Sequence, residues 1–337
     1  MTPGTSGAGP KVLYIAINPL PRDPSSERAQ RQFRVTFHFE GTGRTLLQEV
    51  LLDAELEQHI LERTDALMWG GPTGFEGALA LGRILHETFI GPLGEELLDA
   101  AASQQELDAP TAGVLLDIDE TILHLPWELL NSGVEMLAQR MRFGRVVTTR
   151  RPAPAPRVVD GKVDILAIID PTGELTMADR ERDIIDSLKG RKGGGITVRK
   201  PKFLEYGEAT VRAVKEELQT GNYEMVHFAG HSYFNRDFPG ASALELADGV
   251  LTANDILRLR WGDQPPVLFF TSSCQSTAAA AGHPLVSSSL RGNGLAGALH
   301  ASGVESFGGF FWPVTDTGAC MFVDAFYEEL FRTRIVG

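Results

Sequence analysis

Two cysteines, Cys274 and Cys320, are all that 337 residues contain. That is too few for a disulfide framework, so a reducing, cytoplasmic setting is expected. No apolar run approaches the roughly 18–20 residues of a helical membrane span, and no membrane partner is expected. The opening segment MTPGTSGAGPKV lacks a basic stretch followed by an apolar core, so no secretory signal is expected there. Positive charge is also in short supply. Lys and Arg number 31 against 44 Asp and Glu, a net charge of −13. Such a surface opposes phosphate backbones and argues against direct nucleic-acid binding. It favours solubility and is compatible with a basic partner, but does not bear on the fold.

What remains is an ordinary globular mixture, 43% hydrophobic and 22% charged. The length suits two lobes. Arg151-Pro-Ala-Pro-Ala-Pro156 reads as a stiff extended linker, which sets an N-terminal lobe at 1–150, a linker at 151–160 and a second domain at 161–337. In the first lobe, Val12–Ile17, Arg34–Phe39, Thr45–Asp53 and Val114–Ile118 read as strands. Helical spacing runs from Leu81 to Ala102 with an interruption at Gly91-Pro92. An amphipathic helix is expected after Leu125-Pro-Trp-Glu-Leu-Leu130.

The second half alternates strands and helices. Strands are expected at Val163–Ile169, Ile196–Arg199, Met225–Ala229, Val267–Thr271 and Val304–Phe311. Helices are expected at Ala178–Leu188, Ala209–Leu218, Leu290–Ala301 and Thr317–Leu330, the last with Phe322, Phe326 and Leu330 in line. This alternation predicts a mainly parallel sheet covered on both faces, with its site at the carboxyl ends of the strands. Two segments echo each other, Lys11–Pro19 and Asp164–Pro171, each a strand ending in Asn/Asp-Pro. Related lobes, the first a pseudo-copy of the second, would explain the echo, and so would a shared strand-end turn.

Two strand ends carry chemistry. Val226-His-Phe-Ala-Gly-His231 places a histidine just past an apolar strand and a glycine, which is expected to permit a sharp turn. Val267-Leu-Phe-Phe-Thr-Ser-Ser-Cys274 places a cysteine just past another. If the strands are neighbours, imidazole and thiol meet at one edge, as a thiolate nucleophile with a general base requires. The backbone amides of Ser232 and Cys274 are positioned to stabilise an oxyanion. Cys320, beside Met321 and Phe322 in a helix, reads as a buried core residue. His227, inside the strand, reads as a hydrogen-bonded core histidine. It finds no third ligand with His231, so no metal or cofactor is expected.

The ordered set of segments resembles the CHAT domain, a branch of the caspase and separase clan of cysteine peptidases. It comprises Leu125-Pro-Trp-Glu-Leu-Leu130, Asp170-Pro171 with Ala178 and Glu181, His227-Phe-Ala-Gly-His231, Asp248-Gly-Val-Leu-Thr-Ala-Asn-Asp255, Ser272-Ser-Cys274, Gly294-Leu-Ala through Ala301-Ser-Gly303, Phe311-Trp-Pro-Val-Thr-Asp316 and Phe326-Tyr-Glu-Glu-Leu330. The interval from His231 to Cys274 is close to the roughly 50 residues quoted for caspases, although the caspase pattern around the cysteine is absent. The resemblance implies a caspase-like three-layer α/β sandwich with a mainly parallel central sheet, preceded by an N-terminal α/β lobe. It implies endopeptidase activity through a Cys274–His231 dyad. Many relatives have Gly after the histidine, where this chain has Ser232; the amide survives that change. By analogy with separase, Asp316 would receive a basic residue before the scissile bond; the other reading is a cap on the helix that follows. A hydrophobic preference is known elsewhere in the family. Relatives are mostly microbial, regulated proteases of stress, cell-death or antiviral systems, commonly switched on by a partner or sensor domain, with gasdermin-like pore formers as one substrate class. Many continue beyond the last matched helix, so a longer chain is expected. The Ser/Gly-rich stretch Gly282–Gly294 reads as a loop that could order on activation or on substrate binding, and Arg291-Gly292 would suit self-cleavage if Arg is preferred.

Two rival readings stand beside this one. Leu116-Asp117-Ile-Asp119-Glu-Thr121 matches the first motif of haloacid-dehalogenase phosphatases, in which the first Asp attacks phosphorus and the second is acid/base. That family needs a further acidic pair, which Asp263 and Asp324 do not supply convincingly. A catalytically silent scaffold is the other.

Overall fold

The computed structural model describes residues 12–21, 30–40, 42–68, 74–103, 113–133, 135–148, 159, 161–193, 196–278 and 294–332. The expected Pro-rich linker apart from Val159, the Arg291-Gly292 step and nearly all of the Ser/Gly-rich loop lie outside the described residues. Two compact units emerge, Met1–Thr149 and Arg150–Gly337.

The first unit contains strands β1 (Val12–Pro19), β2 (Arg31–Phe39) and β3 (Arg44–Leu52), helices α1 (Ala54–Met68), α2 (Gly74–Phe89) and α3 (Gly91–Ser103), strand β4 (Gly113–Asp119), a helical turn α4 (Leu137–Arg140) and strand β5 (Arg142–Thr148). The sheet order is β3-β2-β1-β4-β5, antiparallel among the first three and parallel thereafter. Its strands alternate: Leu13, Ile15 and Ile17, Phe33, Val35 and Phe37, and Val114, Leu116 and Ile118 are buried, with more open residues between them. Phe33 meets Phe89 of α2 edge-on at 5.8 Å, and Phe89 meets Trp127 at 4.9 Å. The amphipathic helix expected after Leu130 shrinks to the single turn α4. Its remainder is β5, which extends the sheet beside β4 and includes the β-branched Val146. The segment after Asn18-Pro19 also differs from that after Asp170-Pro171. An antiparallel strand, β2, pairs with β1, whereas the strand Ile165–Ile169 lies between two parallel neighbours.

The second unit is built on a five-stranded sheet, all parallel, from β7 (Ile165–Ile169), β10 (Lys202–Glu205), β11 (Met225–Ala229), β15 (Leu268–Ser272) and β16 (Ser306–Gly308), in the order β10-β7-β11-β15-β16. Every residue of β7 and β11 is buried, as in a sheet covered on both sides. Over one face lie α6 (Val211–Thr220), α7 (Ala253–Arg258) and α8 (Leu295–Ala301), packing Val214, Leu218, Ile256 and Leu299 on Leu166, Ile168, Val226, Phe228 and Phe269. Over the other lie α5 (Ala178–Ser187) and α9 (Asp316–Arg332), packing Ile185, Val323, Tyr327 and Phe331 on Ile165, Ala167, Ile169, Met225 and Phe270. The expected three layers are present.

Local chemistry sets the ends. Thr210 caps α6 by accepting from Ala213 N, and Thr252 with Asp255 forms a capping box on α7. The run Val163–Ile169 is not one strand. It divides at Asp164, whose carbonyl accepts from the amides of Glu224 and Met225, so that β6 (Lys162–Val163) joins a small sheet with β8 (Lys192–Gly193) and β9 (Ile196–Val198). The inward line of α9 is Ala319, Cys320, Val323, Tyr327 and Phe331. The expected line through Phe322 and Phe326 lies on its flank, where Phe322 is 49% exposed and rests edge-on against Phe310. On the inward line the hydroxyl of Tyr327 finds a buried partner in His227.

Candidate active site

The sheet brings the two expected residues together. β11 and β15 are parallel neighbours with Ala229 opposite Ser272, and Gly230 N extends the pairing by donating to Ser272 O at 3.3 Å. His231 and Cys274 therefore leave the same edge, two residues beyond each strand. Gly230 has no left-handed φ, so its role is steric and not conformational. An added Cβ would come within 2.6 Å of the Phe228 ring and 3.2 Å of Pro171. After His231 the chain enters a three-stranded antiparallel sheet, β12 (Ser232–Tyr233), β13 (Ala243–Leu246) and β14 (Gly249–Thr252). Glu245 N donates to His231 O at 2.9 Å, which makes that pair the hydrogen-bonded one. The next pair, Ser232 and Leu244, is then of the open type, and the Ser232 N–H points away from β13.

His231, Cys274, Gly230, Ser273, Val314 and Asp316 line a cleft of about 110 Å³, with Leu175, Met177 and Ala319 as apolar walls and Glu181 also lining it. The thiol is not bonded to the imidazole. Val314 N donates to Cys274 Sγ at 3.4 Å and Sγ donates to Val314 O at 3.6 Å. His231 Nε2 makes no hydrogen bond and lies 3.4 Å from Glu174 Oε2. Glu174 is placed by Asp170, whose carboxylate accepts from the amides of Glu174 and Leu175. Asp316 sits at the start of α9 and its Oδ2 accepts from Thr176 N at 2.9 Å and Thr176 Oγ1 at 3.0 Å. It thus ties a neighbouring loop while facing the cleft.

Below the cleft lies a buried polar cluster that the sequence reading covered only in part. Glu181 Oε1 meets His227 Nε2 at 2.8 Å, Glu181 Oε2 accepts from Ser272 Oγ at 3.2 Å, and His227 Nδ1 meets Tyr327 Oη at 3.0 Å. His227 also stacks on Phe270, the rings 5° from parallel. It is a satisfied core histidine. Burial, with the Glu181 charge adding to it, raises the Tyr327 hydroxyl well above its ordinary pKa, so it stays protonated. Cys320 is buried, and burial followed by the nearby Glu181 charge pushes its thiol up. That disfavours the thiolate a nucleophile needs. The contacts of Glu174, Thr176 and Val314 carry no signal in a single sequence, because each runs between loops or through a backbone group. Glu181 did carry one, an acidic residue three positions after Ala178 on a face otherwise apolar.

The aspartates of the phosphatase-like motif lie in the first unit, on β4. They alternate with buried Leu116 and Ile118, and Asp119 Oδ1 accepts from Thr121 N as the cap of a short helical turn. Among the described residues no group of three or more His, Cys, Asp or Glu is arranged to hold a metal ion. No helix of the described residues is long and apolar enough to cross a membrane.

No curated protein matches this sequence. A family model does: the CHAT domain aligns with residues 79–336, which takes in the strand ends bearing His231 and Cys274. With most of its length inside that match and a caspase-like α/β fold in its second unit, the chain belongs to the CHAT domain family.

Proposed function

We propose that this chain is a cysteine endopeptidase with Cys274 as nucleophile and His231 as general base. The observation that supports it best is the delivery of both residues to one cleft by adjacent parallel strands. The thiolate attacks a peptide carbonyl carbon, forming a C–S bond, and the oxyanion is received by the N–H groups of Ser232 and Cys274. His231 gives its proton to the departing amine, leaving a thioester. It then takes a proton from water, which attacks the thioester and releases the acid. Before this, Cys274 must turn from Val314 and His231 from Glu174, since neither contact is productive. Contacts of this kind commonly tighten only when substrate binds.

The cleft takes a basic side chain in this reading. Asp316 and Glu181 supply negative charge and Leu175, Met177 and Ala319 supply cover for an aliphatic stem. The substrate is a protein, gasdermin-like pore formers being the class the family suggests. The setting, a cytoplasmic stress, cell-death or antiviral response released by an activating partner or sensor, rests on the family resemblance alone. One observation favours a second reading, a silent scaffold: the thiol is held by a main chain and not by the histidine.

The test is intact-mass labelling with two peptide ketones, one carrying Arg and one Leu before the warhead, on wild type, Cys274→Ala and Cys320→Ala. A single adduct lost only in Cys274→Ala supports the protease, and the preferred ketone decides the role of Asp316. No adduct in any protein, with or without a candidate activator, supports the scaffold.

A further inference from the structure

Ser232 does more than offer an amide. Its hydroxyl donates to Cys274 O at 2.5 Å and touches Ser273 Oγ at 2.8 Å. A hydroxyl has one proton and two lone pairs, so it can donate to the carbonyl while Ser273 donates to it. These contacts join the turn that carries His231 to the turn that carries Cys274. They are also placed at a strained point. Gln275 follows the nucleophile with φ of 56°, in the left-handed region that a non-glycine residue seldom occupies, and it is 8% exposed. The carbonyl that Ser232 grips belongs to the peptide plane between Cys274 and Gln275. The orientation of that plane sets ψ at Cys274 and φ at Gln275 together, so the grip holds the path of the chain as it leaves the nucleophile.

We propose that the Ser232 side chain is a positioning residue, a hydroxyl latch that holds the strained turn after Cys274 against the turn after His231 and thereby keeps the nucleophile within reach of its base. The catalytic part of this rests on the protease reading above; the latch itself does not. Every substitution at 232 except proline keeps the N–H, so side-chain and amide roles separate cleanly. Without the hydroxyl the turn relaxes toward ordinary φ, and the nucleophile is no longer kept within reach of its base.

The experiment is a double-mutant cycle of Ser232→Ala with Gln275→Gly, with Ser232→Thr as the conservative variant. Two readouts are taken on each protein, the saturation kinetics of peptide-ketone adduct formation at Cys274 and the melting temperature. Ser232→Ala is expected to lower the maximal labelling rate about tenfold, the scale of one lost hydrogen bond, with the half-saturating ketone concentration unchanged. Ser232→Thr is expected to retain most of the rate. Gln275→Gly is expected to raise the melting temperature in the wild-type background and not in Ser232→Ala, because only the latched turn holds strain for glycine to relieve. An unchanged labelling rate in Ser232→Ala, with wild type reactive, overturns the positioning role. Additive melting temperatures overturn the latch. If wild type takes up no ketone with or without a candidate activator, the protease reading fails, and the melting cycle still decides the latch.

Discussion

The two sheets of this chain bury their residues differently. In the first unit β1 and β2 alternate buried and open positions, and Tyr14, Leu47, Leu51 and Val146 remain at least 38% exposed. In the second, β7 and β11 are buried at every position, between α5 and α9 on one side and α6, α7 and α8 on the other. A sheet closed on both faces leaves only its edges and strand ends for chemistry, and the carboxyl end of a parallel sheet is where such sites form. The aspartates of the first unit stand along a strand; His231 and Cys274 stand beyond the ends of two. That difference in placement separates the phosphatase-like motif from the dyad more firmly than the motif itself does.

The sharpest way to break the comparison is to silence each unit in turn. Cys274→Ala is expected to abolish adduct formation and cleavage, a loss of about 10⁴-fold or more for a nucleophile, whereas Asp117→Asn in the first unit leaves both unchanged. Activity lost with Asp117 instead would reverse the assignment of function to the second sheet. Next comes burial. Phe228→Ala, at a position with no exposed surface, is expected to cost about 3–5 kcal/mol in denaturant unfolding. Leu51→Ala, at 54% exposure, should stay within about 0.5 kcal/mol; equal losses would show that the two sheets are closed alike. Third, Asp316→Asn is expected to narrow the ratio of Arg-ketone to Leu-ketone labelling about tenfold or more. An unaltered ratio would leave Asp316 as a tether for Thr176 only.

The smallest effect is one of pH. Burial holds the His300 imidazole, on α8, below its ordinary pKa. The folded state therefore binds fewer protons than the unfolded one as pH falls below 6.5, and stability declines in that window, levelling once the folded group also titrates. His300→Gln is expected to flatten this slope in melting curves taken between pH 5 and 7. His86, in the first unit, is likewise held low by burial, so His86→Gln offers the matching measurement there.

Much of this was readable beforehand because it rests on patterns that burial imposes. Continuous apolar runs gave β7, β11 and β15, and a histidine and a cysteine beyond two of them gave the cleft. What escaped reading has physical causes. Lys202–Glu205 is only four residues with one buried, too short and polar to show a period. α1 has buried Ile60, Thr64 and Met68 amid charge, a faint stripe. The face of α9 was missed because aromatic rings at its flank, Phe322 and Phe326, mimic a core stripe, while the buried line runs through Ala319, Cys320, Val323, Tyr327 and Phe331. At the cleft, the thiol's actual partners are the amide and carbonyl of Val314, groups that every sequence possesses.

That last contact has a consequence for how such a chain changes over generations. A grip made by peptide atoms is indifferent to the side chain at position 314, so drift there leaves it intact and no comparison of sequences records it. Only a proline, which removes the donor, would erase half of it in a single step. The resting posture of Cys274 is thus inherited through the path of the chain and not through the identity of any residue it touches.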